Sequence, residues 1–124
     1  MILVDTSVWV DHLRARVPGL VAALEQGSVL SHPFVIGELA CGNLKNRRDV
    51  LQLLGALPGA TLATDHEALD FIERRALMGR GIGYIDVHLL ASAALAGAAK
   101  LWTRDQRLAA VAMDLDLAYS EQKA

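Results

Sequence analysis

Four carboxylates stand where so apolar a chain least accommodates them. Asp5 closes the run MILV, Glu38 interrupts PFVIGELA, Asp86 opens the nearly uncharged YIDVHLLASAALAGAA, and Asp105 comes just after LWT. An isolated carboxylate near a hydrophobic core is costly, or it takes up a proton and neutralises. Taken singly, each has an ordinary reading. Asp5, Asp86 and Asp105 fit helix caps or first turns, and Glu38 fits a solvated position on its helix. Brought together unneutralised, the four repel one another. A hard divalent cation that prefers oxygen ligands, Mg²⁺ or Mn²⁺, removes that repulsion. One ion can present a water and polarise a phosphate, and two can clamp the attacking and leaving oxygens, so the pattern points to phosphoester chemistry. Thr6, Ser7 and Thr103 add hydroxyls suited to orienting an acid or a phosphate.

The remaining polar residues are weaker signals. His12, His32, His66 and His88 show no metal-ligand spacing with one another or with Cys41, which argues against zinc. His88 reads as a hydrogen-bonded core histidine, and the lone Cys41 as a small buried hydrophobe in a reducing compartment. Ser7 and Ser92 lack His–Asp partners for nucleophilic catalysis. Most Lys and Arg residues read as solvated helix faces. Two are set apart: Arg80, in a loop punctuated by Gly79, Gly81 and Gly83, and Arg104, beside Asp105. Both are candidate phosphate contacts.

Positioning these residues requires an alternating α/β chain. Ile2–Val4 reads as a buried strand, with a helix from about Ser7 to Arg14 and another from Pro18 ending before Gly27. Ser28–Ser31 reads as a second strand, with Pro33 opening a helix through Ala40. A further helix spans Asn46–Leu54, ended by Gly55 and Pro58, and Thr61–Ala63 is a candidate third strand. Thr64 and Glu67 form a capping box for the helix DHEALDFIERRALM. Tyr84–Ala96, apolar all round, reads as a buried helix. Lys100–Trp102 is a fourth strand, Thr103 with Gln106 caps a short helix, and Leu115–Tyr119 is a candidate edge strand. The sum is a parallel sheet with helices on both faces. Ligands of such sheets bind beyond the carboxyl ends of the strands, where Asp5 and Asp105 fall.

At 124 residues, 53% hydrophobic and 21% charged, the chain reads as one globular domain, residues 1–124. Its formal net charge of −2 provides no bulk positive field, so nucleic-acid binding would need a local basic patch and metal bridging to phosphates. The start MILVDTSVW has neither basic leader nor small-residue cleavage site, and the weakly polar run Leu89–Ala99 falls short of the ~20 residues that span a bilayer. The expectation is a cytoplasmic protein with no membrane partner.

The segments ILVDTSVWVDHLR, FVIGELACG, GIGYIDVHLLASAAL and LWTRDQRLAAVA, in this order and spacing, resemble the PIN-domain ribonucleases. They are most similar to the VapC toxins of bacterial VapBC toxin–antitoxin modules, over nearly the whole chain. The resemblance implies a three-layer α/β/α sandwich around a short parallel sheet. It implies an Mg²⁺- or Mn²⁺-dependent endoribonuclease acting on structured RNA of the tRNA or rRNA class. Asp5, Glu38, Asp86 and Asp105 match the metal-binding acids in order, and Thr103 matches the hydroxyl residue preceding the fourth. Where many relatives carry a further acid just after the fourth, this chain has Gln106 and Arg107, so the ion count stays open between one and two. A VapB-type antitoxin and a homodimer are the implied partners. Two alternatives stand beside this reading. One is a non-catalytic module that binds antitoxin or RNA. The other is a phosphatase phosphorylated on Asp5, which expects an acid where Ser7 stands.

Overall fold

The computed structural model describes residues 1–121. The central strand β1 (Ile2–Val4) pairs in parallel with β2 (Val29–Leu30) on one side and β3 (Lys100–Trp102) on the other, giving the order β2-β1-β3. Ile2 lies opposite Val29 and Lys100, and Val4 opposite Trp102. Parallel strands need crossovers, and helices supply them. The first crossover is α1 (Thr6–Arg14) and α2 (Pro18–Glu25). The second runs through α3 (Pro33–Ala40), α4 (Arg47–Ala56), α5 (Asp65–Arg75) and α6 (Tyr84–Ala96), and α7 (Gln106–Asp114) follows β3. α1 packs on α3, α3 on α4, α5 on α6, and α6 on β3. The result is an α/β sandwich whose core contains the fully buried Leu3, Val4, Trp9, Leu20, Leu90, Leu101, Trp102 and Leu108.

Local chemistry sets most helix starts. Pro18 and Pro33 sit in first turns, where a missing N–H costs nothing. The capping box at α5 is complete: the Glu67 N–H donates to Thr64 Oγ1 at 3.1 Å, and the Thr64 N–H to Glu67 Oε1 at 3.0 Å.

Five expectations are corrected. Thr61–Ala63 forms no strand. The chain touches the sheet earlier, at one bridge between Ser31 and Gly59 beside Pro58, which has no N–H to extend a ladder. Leu115–Tyr119 is likewise reduced to a bridge between Leu101 and Ala118, because Asp116 adopts φ +57° and interrupts any extended run from Leu115. The cap of α7 is Asp105, not Thr103. α6 is buried from Val87 to Ala93, but its ends expose Tyr84, Ile85 and Leu95. Cys41, at the end of α3, is exposed. Smaller differences are that α4 continues through Gly55 to Ala56, and that α5 stops at Arg75, where Ala76 turns left-handed at φ +54°.

Candidate active site

Because β1 and β3 are parallel neighbours, the residues that follow them emerge side by side at one edge of the sheet. The Asp5 N–H donates to the Trp102 carbonyl at 2.9 Å, fixing the two strand ends in register. Asp5 is 6% exposed and caps α1. Its Oδ2 accepts from Ser7 Oγ at 2.7 Å and from Thr103 Oγ1 at 2.8 Å. Each hydroxyl accepts in turn from the loop after β3: Ser7 Oγ from the Arg104 N–H at 3.0 Å, and Thr103 Oγ1 from the Asp105 N–H at 3.1 Å. Two hydroxyl relays therefore lock the Thr103–Asp105 loop to Asp5.

The other acids are held by the same means. Asp105 Oδ1 accepts the N–H groups of Arg107 and Leu108, both at 3.0 Å. Asp86, in the first turn of α6, accepts the Gly83 N–H on Oδ2 at 3.1 Å. Glu38, exposed on α3, accepts the Thr6 hydroxyl on Oε1 at 2.7 Å, which couples α3 to the start of α1. A common pattern results. Each of the four carboxylates is anchored through one oxygen, and among the described residues its second oxygen (Asp5 Oδ1, Glu38 Oε2, Asp86 Oδ1, Asp105 Oδ2) has no hydrogen-bond partner. None of the four takes part in an ion pair among those residues.

The four also share one electrostatic field. The Asp86 carboxyl is pushed above its ordinary range, first by burial and further by the charges of Asp5, Asp105 and Glu38, with the Gly83 N–H working the other way. Uncompensated negative charge and unspent carboxylate oxygens are what a hard divalent cation requires, so the donor set fits Mg²⁺ or Mn²⁺. The acids are grouped but not closed into a cage: among the described residues no three His, Cys, Asp or Glu side chains converge as ligands. The histidines stand apart from this chemistry. His88 is buried, with Nε2 3.3 Å from Asp65 Oδ1 but not aligned for a hydrogen bond.

The two arginines singled out from the sequence are both engaged. Arg80 Nη2 meets Asp114 Oδ2 at 2.6 Å. Arg104 forks onto Glu121, with Nε to Oε1 at 2.8 Å and Nη2 to Oε2 at 3.0 Å, and Nη1 reaches Asp11 Oδ2 at 3.0 Å. Asp11 and Glu121 had no local signal, since their partner lies far off in the chain. His32 was equally missed as the cap of α3, where Nδ1 accepts the Phe34 N–H at 3.0 Å, although its place directly before Pro33 marks a cap position. Beside Thr6 and Glu38 opens a groove of about 720 Å³, lined by Val10, Leu13, Leu39 and Val50 and by the cations Arg14 and Lys45.

Comparison with known proteins matches the PIN domain model to residues 2–113. The chain is 48% identical over 122 residues to Ribonuclease VapC32 from two strains of Mycobacterium tuberculosis, covering 98% of each chain. A further similarity, 30% over 103 residues to a hydroxyethylthiazole kinase of Yersinia enterocolitica, spans 83% of this chain but only 38% of the kinase and assigns no family.

Proposed function

The chain belongs to the PIN-domain family, and from that premise we propose that it is a divalent-metal-dependent endoribonuclease, the toxin of a type II toxin–antitoxin module. The observation that carries the reading is the set of four carboxylates in one field, each tethered by one oxygen and presenting the other. The substrate class is structured RNA, tRNA or rRNA, whose phosphodiester is hydrolysed at the carboxyl edge of the sheet.

Asp5, Glu38, Asp86 and Asp105 would hold Mg²⁺ or Mn²⁺, as one ion or two. When bound, the ion supplies Lewis-acid polarisation of the phosphate and lowers the pKa of water. The chain's own residues do the positioning. Ser7 and Thr103 donate to Asp5 and fix its free oxygen towards one direction. Thr6 orients Glu38, and the backbone of Gly83 orients Asp86. Such supporting hydrogen bonds set the orientation and basicity of ligand carboxylates.

The partner is a VapB-type antitoxin whose inhibitory segment occupies the groove beside Glu38. Apolar walls with Arg14 and Lys45 suit an amphipathic segment bearing acidic residues. The working form is a cytoplasmic homodimer. No helix among the described residues is long and apolar enough to cross a membrane.

Antitoxin-free protein incubated with total RNA tests the reading, using Mn²⁺ or Mg²⁺ with EDTA and Asp86→Asn controls. Discrete products lost in both controls are expected. Metal binding by a folded protein that leaves every RNA intact would instead favour the binding-only module.

A further inference from the structure

We propose that Arg107 receives a backbone phosphate of the RNA at the edge of the acid site, an assignment that rests on the RNA-binding part of the reading above. An acidic centre repels the polyanion it must cut, so a cation has to meet the strand beside it. The two arginines nearest in sequence to Asp86 and Asp105 already meet carboxylates: Arg80 meets Asp114, and Arg104 meets Glu121 and Asp11. Arg107 is exposed, and its side chain makes no ion pair or hydrogen bond among the described residues.

The backbone of Arg107 is tied to the site. Its N–H donates to Asp105 Oδ1 at 3.0 Å in the first turn of α7. Its side chain lies across Gly81, whose φ is +82°. A Cβ on Gly81 would stand 2.9 Å from Arg107 Cδ, 3.1 Å from Nη1 and 3.4 Å from Nε, so a side chain at position 81 would displace the arginine from this place. From Gly81 the same loop runs on to Gly83, which donates its N–H to Asp86. The guanidinium thus lies against the loop that leads to Asp86, on a residue whose backbone is tied to Asp105. Its planar fork of donors suits a phosphate oxygen pair better than an ammonium does. An acid at this position would add to the negative field, whereas Arg107 places a cation at its rim.

The test is binding of a short fluorescein-labelled RNA of mixed sequence, in EDTA so that nothing is cut, across a salt series. Arg107→Met keeps the aliphatic stem over Gly81 and removes the charge. It is expected to weaken RNA affinity about tenfold. It should also lower the slope of log K against log salt by about 0.7, the value for one phosphate on a single strand. Melting temperature and Mn²⁺ affinity should stay at wild-type values, and Arg107→Lys should recover part of the binding. Wild-type affinity and slope in Arg107→Met overturn the proposal. So does a pattern in which Met and Lys variants lose thermal stability alike while the salt slope stands, since that marks a packing role alone. Parallel Mn²⁺ reactions separate the two claims. RNA bound through Arg107 but never cut leaves this contact standing and removes the nuclease, whereas no measurable RNA affinity in the wild type, with Mn²⁺ as well as in EDTA, removes this assignment.

Discussion

At the scale of single residues, the structure divides each carboxylate between a tethered oxygen and an untethered one. Asp5 shows this best, since both hydroxyl donors land on Oδ2. Ser7→Ala or Thr103→Val should therefore leave the fold intact while weakening Mn²⁺ affinity and cleavage by about 10–100-fold, the usual cost of losing an outer partner of a metal ligand. Titration calorimetry with Mn²⁺ measures it, and unchanged affinity in both variants would remove the relay's role. Asp86→Asn, which alters a proposed ligand itself, should lose more than about 100-fold in cleavage, and near-wild-type activity would sink its assignment. The acids were legible because a charge inside an apolar run is a local anomaly. The ion pairs of the arginines were not: Arg80 meets Asp114, and Arg104 meets Asp11 and Glu121, through a proximity only the fold creates.

Among the elements, helices were easier to read than strands. The bounds of Pro33–Ala40 and Tyr84–Ala96 stand as expected because Pro, Gly and apolar runs act within a few residues. The two weakest strands failed because pairing is decided by a neighbour distant in sequence and by local breaks such as Pro58 and Asp116. α3 carries a testable consequence of its cap. Burial first, and the charge on His88 second, push His32 down from 6.5 to about 4. Its folded pKa lies below its unfolded one, so its contribution is intact above about pH 6.5 and drains as pH falls towards 4, by up to about 3 kcal/mol. Asp86, whose folded pKa is raised, contributes with the opposite sign, so the measurement belongs in an Asp86→Asn background. There, denaturant unfolding across that window should show the loss, and His32→Asn, a cap that does not titrate, should flatten it; equal slopes would remove His32 as the cause. The groove between α1 and α4 makes a separate prediction. Leu13→Asp, at a residue already 41% exposed, should relieve antitoxin inhibition while RNA cleavage without antitoxin continues. Undiminished inhibition would place the antitoxin elsewhere.

For the molecule as a whole, a net charge of only −2 conceals a concentrated negative centre at the carboxyl edge of a three-stranded sheet. Folding must assemble that charge, so the metal-free protein carries the repulsion as a loss of stability, and the proposed ion would turn the same charges into ligands. A ligand at about 100 times its Kd stabilises the native state by about 2.7 kcal/mol if it ignores the unfolded chain. In a domain of this size each kcal/mol moves the melting temperature by a few degrees. The wild type and Asp86→Asn should therefore exchange rank. In EDTA the variant should melt higher, because one repelling charge is gone. In saturating Mn²⁺ the wild type should rise by several degrees and the variant by much less. Thermal melts of both proteins in both buffers decide the matter. If the variant gains as much from Mn²⁺ as the wild type, the ion binds away from the four acids. If the wild type does not shift, the acids hold no ion, and their clustering would need another explanation than metal binding.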